Sequence, residues 1–209
     1  MSRLRILCFA VFCAFTAITV NADTVTYTFE APQFVNGEFT PISNRAPNVG
    51  SPAFQASFAS SVANGYIIAA FVPNGLFTGN ALVAPAGAPN ILTITFNMPV
   101  NQVQFAWGEN STTSGRIDFA SSAGNLSQNG AVVGGGAGFI GGTFSFSSAS
   151  SFTSFTLNAF NAAGAPIELA IDNLVLTTPA SVPEPATMLL IGTGLAGVAA
   201  KVRKQRKTV

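Results

Sequence analysis

Two acidic residues, Glu109 and Asp118, and one aromatic segment, Trp107 to Asn110, are the places where this chain could carry chemistry. Two carboxyl groups roughly 5 to 9 Å apart can hydrolyse a glycosidic bond, one as acid and the other as base or nucleophile. Glu109 and Asp118 would meet that need if their strands formed a hairpin, although nothing in their spacing demands it. Trp107 beside Glu109 and Asn110 offers a flat ring next to hydrogen-bonding groups, the combination a sugar-binding face uses. The segment ends an alternating strand and is followed by polar Ser111 to Ser114, which predicts a loop on the rim of a β-structure. Tyr27 and Tyr66 are the other rings with a polar edge. A lone tryptophan in a β-protein is equally a candidate core residue, and isolated acids in polar loops commonly serve solubility, so the bland readings stay open beside the chemical ones.

Other chemistries are excluded by residue type. The chain has no histidine, and its two cysteines, Cys8 and Cys13, both fall in an apolar N-terminal run. Once that run is removed there is no disulfide, no thiolate nucleophile, no Cys/His zinc site and no Ser-His-Asp triad. Seven of the nine basic residues lie at the ends, as Arg3, Arg5, Lys201, Arg203, Lys204, Arg206 and Lys207. Between Asp23 and Pro179 only Arg45 and Arg116 stand against seven acids, giving 2 − 7 = −5. A nucleic-acid surface needs clustered cations, so no nucleic-acid partner is expected.

The elements that must hold these side chains read as strands. Period-two alternation recurs at Val25 to Phe29, Ile91 to Phe96 and Val103 to Trp107. Further strands are predicted at Phe54 to Phe58, Tyr66 to Val72, Arg116 to Ala120, Phe139 to Phe146, Phe152 to Phe160 and Glu168 to Leu176. Turn residues separate them, as at Asn74-Gly75, Asn97-Met98-Pro99 and Asn161 to Pro166. About nine short strands with no helix between them predict an all-β fold, an antiparallel β-sandwich. Nineteen phenylalanines supply the apolar area that such a core needs without disulfides. Gly134 to Ser151 is rich in Gly and Ser and reads as a loop entering an edge strand; Phe144 and Phe146 read first as an ordinary sandwich strand, with a self-associating stretch as the alternative.

Both ends read as addresses. Arg3 and Arg5 precede an apolar run from Ile6 to about Val20, and Asn21-Ala22 closes it in the pattern signal peptidase accepts, with cleavage after Ala22. Neither Cys8 nor Cys13 is preceded by a lipoprotein box. At the other end, Val182, Pro183, Glu184 and Pro185 lead into fifteen uncharged residues, Ala186 to Ala200, and then a Lys/Arg-rich tail. As a helix the apolar run spans roughly 22 Å against a hydrocarbon core near 30 Å, so Val202 and snorkelling lysine must help it. The basic tail stays cytoplasmic and the domain faces outward. Gly192, Gly194 and Gly197 spell a dinucleotide fingerprint, but only twelve residues follow, too few for a βαβ unit.

Pro183-Glu184-Pro185, the apolar run and the basic end together resemble the C-terminal sorting signal of PEP-CTERM proteins, over about the last 27 residues. The resemblance implies recognition of Pro183, Glu184 and Pro185 by the membrane peptidase exosortase, removal of the helix and tail, and delivery to the surface of a bacterium that makes exopolysaccharide. A second resemblance rests on Thr26 to Glu30 and Glu168 to Val175, which look like the first and last strands of jelly-roll carbohydrate-binding modules. It implies a jelly-roll-like sandwich and a structural calcium held in part by Glu30 and Asp172, with Asp172-Asn173 simply hydrogen-bonding a neighbouring loop as the alternative.

The expected organisation is therefore a signal peptide at 1–22, a sandwich at 23–178, a proline-rich linker at 179–185, a transmembrane helix at 186–202 and a cytoplasmic tail at 203–209. The expected function is a non-enzymatic surface or matrix protein associated with exopolysaccharide. It is handled by signal peptidase and exosortase, with the inner membrane as transient anchor and the domain in the periplasm before release. A polysaccharide-modifying hydrolase and a self-associating structural matrix protein are the alternatives.

Overall fold

The computed structural model describes residues 22–70, 76–84, 91–109, 114–133, 139–180, 191–199 and 203. The chain divides into two units, Ala22–Pro179 and the two termini, Met1–Asn21 with Ala180–Val209. The expected signal peptide up to Asn21 and the Pro183-Glu184-Pro185 segment lie outside the described residues, as does most of the tail. Within the expected membrane span, residues 191–199 are helical, and no described helix is long and apolar enough to cross a membrane.

The unit Ala22–Pro179 is all-β and antiparallel. Its strands are β1 (Thr24–Tyr27), β2 (Ile42–Arg45), β3 (Ala56–Ser60), β4 (Ile67–Ala70), β5 (Asn80–Val83), β6 (Leu92–Glu109), β7 (Gly115–Ser121), β8 (Gly124–Asn129), β9 (Ala131–Val132), β10 (Ile140–Asn161) and β11 (Ala170–Thr177). β6 and β10 are long enough to serve two layers. Along Leu92 to Phe96, β6 lies between β3 and β10, giving the order β2-β3-β6-β10-β7-β8. Along Gln102 to Gly108 it lies between β10 and β11, with β1 and β5 on the far side of β11 and β4 beyond β5.

The sequence divides each of these long strands in two, and the structure does not. Asn97-Met98-Pro99, expected as a turn, stays inside β6. The break survives only as register shifts against β10, where the partner of Ser147 is Gln102 and that of Ser154 is Thr95. Pro99 has no N–H for a ladder, so an irregular stretch of pairing is where a strand tolerates it. Across this bend the inward-facing set changes phase, from Leu92, Ile94 and Phe96 to Val103, Phe105 and Trp107. Ile140 to Ser151, expected as part loop, is strand, and Phe144 is fully buried rather than offered to a neighbour.

Rings from both layers meet inside. Phe144, in the first half of β10, stacks on Phe105 at 4.9 Å and on Phe119 of β7 at 5.3 Å. Phe119 in turn touches Phe155, in the second half of β10, at 5.0 Å. At the other end Tyr27, Phe29, Phe34 and Phe58 meet edge to face, with centroids 5.1 to 6.2 Å apart. These offset and T-shaped contacts are the ones the ring quadrupole favours, and the apolar area they remove from water drives the collapse of the two layers. A smaller cluster, Phe77, Ala81, Ala106 and Ala170, covers the outer face of the second half of β6.

Candidate functional site

Glu30 and Asp172 are brought together by the pairing of the first and last strands. β1 runs antiparallel to β11 with Tyr27 opposite Leu174, so the residues just after β1 come level with the start of β11. Two residues at this junction, Phe29 (φ 57°) and Asn173 (φ 52°), have left-handed backbone, which for a bulky residue such as Phe29 is an outlier sustained by its surroundings. Each adjoins one of the two acids. Asp172 is fully buried. Its Oδ1 accepts the Asn173 N–H at 2.6 Å, and its Oδ2 accepts the Thr78 N–H at 3.3 Å and Asn173 Nδ2 at 3.1 Å. Glu30 accepts the backbone N–H of Asn80 on Oε1 and the Asn80 side-chain amide on Oε2 at 3.2 Å. The segment Thr78–Asn80 therefore bridges the two carboxyls.

The electrostatics of this pair are unbalanced. Burial pushes the Asp172 carboxyl up to about 6; the N–H groups of Thr78 and Asn173 oppose that rise, and the negative charge of Glu30 adds to it. No cation of the domain neutralises the pair, because Arg45 is bonded to Glu38 and Arg116 to Asp118 at 2.9 Å. Two carboxylates held by the same short segment, one buried and one half-buried, are the hard oxygen donors a divalent cation such as calcium takes. Among the described residues no group of three or more His, Cys, Asp or Glu assembles. Ligands beyond the two carboxylates would have to be neutral oxygens from carbonyls, amides or water.

Gly79 is the residue the sequence did not single out. A Cβ there would lie 2.0 Å from Glu30 Oε1, and its φ of +77° disfavours any side chain. Gly79→Ala is expected to displace the Glu30 carboxyl and to cost about 1–3 kcal/mol, measured as a lower denaturant midpoint at unchanged slope. An unchanged midpoint would mean that Glu30 does not need this approach. Asn80 gives no signal in the sequence either, since an asparagine next to a turn signals nothing until its donor is seen on an acid.

The second candidate group is rearranged by the structure. Trp107 is fully buried, as are Tyr27 and Tyr66, so none of these three rings has a free face on which a sugar could stack. Trp107 as a stacking platform is thereby corrected: its β6 segment is covered on one face by the main core and on the other by the Phe77 cluster. Glu109 is buried too, with neither carboxyl oxygen hydrogen-bonded, and desolvation pushes it up to about 8. Its carboxyl occupies the space over Gly115, where a Cβ would come 1.0 Å from Oε1. Gly115, Ile117 and Phe119 share the inner face of β7, while Asp118 alternates to the outer face and pairs with Arg116. Glu109 and Asp118 thus lie on opposite faces of β7, which removes the paired-carboxylate geometry a hydrolase would need. Asn110 lies outside the described residues.

Comparison with known proteins bears on the other end of the chain. Residues 181–204 match the PEP-CTERM protein-sorting motif. The chain carries an exosortase sorting signal. A PEP-CTERM motif marks a protein for export and exosortase-mediated sorting to the cell surface, so the β-domain is a delivered domain. A search of curated proteins returns no match. Among solved structures, a family 29 carbohydrate-binding module is similar at 14% identity, covering 80% of this chain and 98% of that one, with a TM-score of 0.35. A variant of the module CBM29-2 gives 13% identity, 75% and 93% coverage and 0.34. The tailspike protein 4 of bacteriophage CBA120 gives 19%, 59% and 19% coverage, and 0.35.

Proposed function

We propose that this PEP-CTERM protein is a non-enzymatic surface or extracellular-matrix component whose β-domain associates with the exopolysaccharide of the producing cell. Signal peptidase cleaves after Ala22, the C-terminal segment holds the chain transiently in the inner membrane, and exosortase acts at Pro183-Glu184-Pro185. The observation that carries the reading is the sorting motif at 181–204, which commits the domain to the outside of the cell. The separation of Glu109 from Asp118 supports a binding role over hydrolysis, and the burial of Trp107, Tyr27 and Tyr66 directs any glycan contact to polar side chains.

Glu30 and Asp172 hold a structural calcium in this reading. When bound, the ion supplies the positive charge that the domain's own arginines do not bring to this site. The acids' own part is to tie the end of β1 and the Thr78–Asn80 segment to β11.

The test is co-sedimentation of the chain with the producer's own polysaccharide, with calcium and with chelator, while assaying release of reducing sugar. Retention without sugar release is expected. Failure to sediment in either condition would remove the polysaccharide role, and sugar release would restore an enzyme.

A further inference from the structure

We propose that the outer edge of β8 joins two copies of this chain, as an antiparallel strand pair centred on Ser127. The proposal is independent of any glycan and rests on how the other edges are treated. A strand at the border of a sheet exposes unpaired N–H and C=O groups, and proteins close such borders with charge, proline, bulges or covering segments.

Elsewhere in this domain the closures are visible. β4 is covered by residues 37 and 38: Ile68 N–H donates to the Glu38 carbonyl at 2.8 Å and Gly37 N–H to the Ile68 carbonyl at 2.7 Å. β1 is covered by residues 48 and 49, through Thr26 N–H to the Val49 carbonyl and Asn48 N–H to the Thr26 carbonyl, both 2.8 Å. β2 carries Arg45, follows Pro41, and is broken by a register shift with Asn44 at φ 52°. The free side of β10 near Thr143 is met by Gln128, whose Nε2 donates to the Thr143 carbonyl at 2.9 Å, and by the two-residue β9.

Apart from its own Gln128 side chain, which reaches Thr143 of β10, β8 has none of these devices among the described residues. Its six residues pair with β7 from Gly124 to Asn129 without a register shift, and they include no charged residue and no proline. It ends the order of the sheet, and among the described residues no backbone hydrogen bond reaches its far side.

The strand also suits its own copy. Opposed residues of an antiparallel pair point to the same face, and a two-fold axis through Ser127 meets that condition. Ser127 then faces the copy's Ser127, Asn125 faces the copy's Asn129, and Leu126 faces the copy's Gln128. Amides and hydroxyls oppose one another, no like charges meet, and Leu126, now 40% exposed, gains cover. In a domain of net charge −5, an uncharged edge is where two copies can approach with least repulsion.

The experiment is sedimentation equilibrium of the full chain in mild detergent over a dilution series, beside the double variant Asn125→Lys with Ser127→Lys. These two side chains are exposed on the outer face, so the fold tolerates them, and circular dichroism checks that it has. The unmodified chain should reach twice the monomer mass and the lysine variant should remain monomeric. Ser127→Cys should give a disulfide between the two substituted positions in peptide mapping. A monomer at every concentration overturns the proposal, and so does a dimer that survives both lysines or fails to form the 127-to-127 link.

Discussion

Between about pH 6 and pH 8 the β-domain is expected to lose stability steadily, and Glu109→Gln is expected to remove most of that loss. The cause is a carboxyl placed where ionisation has no support. Glu109 is 1% exposed, neither oxygen accepts a hydrogen bond, and desolvation raises it from 4.5 to about 8. No titratable residue occupies the sequence from Asn110 to Gly115, and the residue opposite Glu109 in the register is Ile140; Arg116 and Asp118 face the other side of β7. The sign follows from proton counts. Between the unfolded and folded values the folded state keeps a proton that the unfolded state has released, so folding is favoured at low pH and weakened as pH rises towards 8. The slope approaches about 1.4 kcal/mol per pH unit, a loss of about 2–3 kcal/mol between pH 6 and pH 8. Asp172, raised to about 6, adds the same sign of effect at lower pH, which leaves the interval above pH 6 to Glu109. Trp107 is the chain's single tryptophan, two residues away on the same face of β6, so its fluorescence reports on this site. Denaturant midpoints by tryptophan emission at each pH provide the measurement. A flat profile above pH 6 in the unmodified chain would contradict the burial of Glu109.

Calcium is expected to raise the unfolding midpoint strongly at neutral pH and to lose that effect as pH falls below about 6. Without a cation, the repulsion of Glu30 and the burial of Asp172 favour the protonated acid, so the cation-free domain gains stability on mild acidification. An ion requires both groups ionised, which reverses the dependence when it is bound. At a hundred-fold excess over the dissociation constant the gain is about 2.7 kcal/mol, which for a domain of this size is on the order of 5–10 °C in a thermal scan. Asp172→Asn separates the two contributions. It removes a buried like-charge contact but turns an amide NH2 towards N–H groups that Asp172 accepts, so it should cost about 1–3 kcal/mol in chelator, and it should abolish the calcium response. A calcium shift that persists in this variant would move the site elsewhere, and no shift in the unmodified chain would leave Glu30 and Asp172 a purely hydrogen-bonded junction.

How much of this was legible in the sequence depends on what each strand touches. Val25 to Phe29 and the strand ending at Leu176 alternate because each has one face on the core, and their pairing places Glu30 near Asp172. Ile42–Arg45, Asn80–Val83 and Gly124–Asn129 are short, polar or lie at a border, and they carry no alternation to read. Trp107 and Glu109 misled for a different reason. Their strand is covered on both faces, the outer one by Phe77 from a distant segment, so Ala106 to Glu109 are all buried whatever their polarity. The bend at Asn97 to Val100 looked like a turn because it has a turn's residues; only the register against β10 reveals a strand passing from one layer to the other.

The delivery of the domain to the outside of the cell is tested most directly by the intact mass of the protein recovered from the surface and medium of the producing bacterium. The expected species begins at Asp23 and has lost the apolar run and basic tail beyond Pro183-Glu184-Pro185, and Glu184→Ala should make it disappear in favour of a membrane-retained form. A surface form that still ends at Val209, or one whose C-terminus is indifferent to Glu184→Ala, would contradict sorting by exosortase.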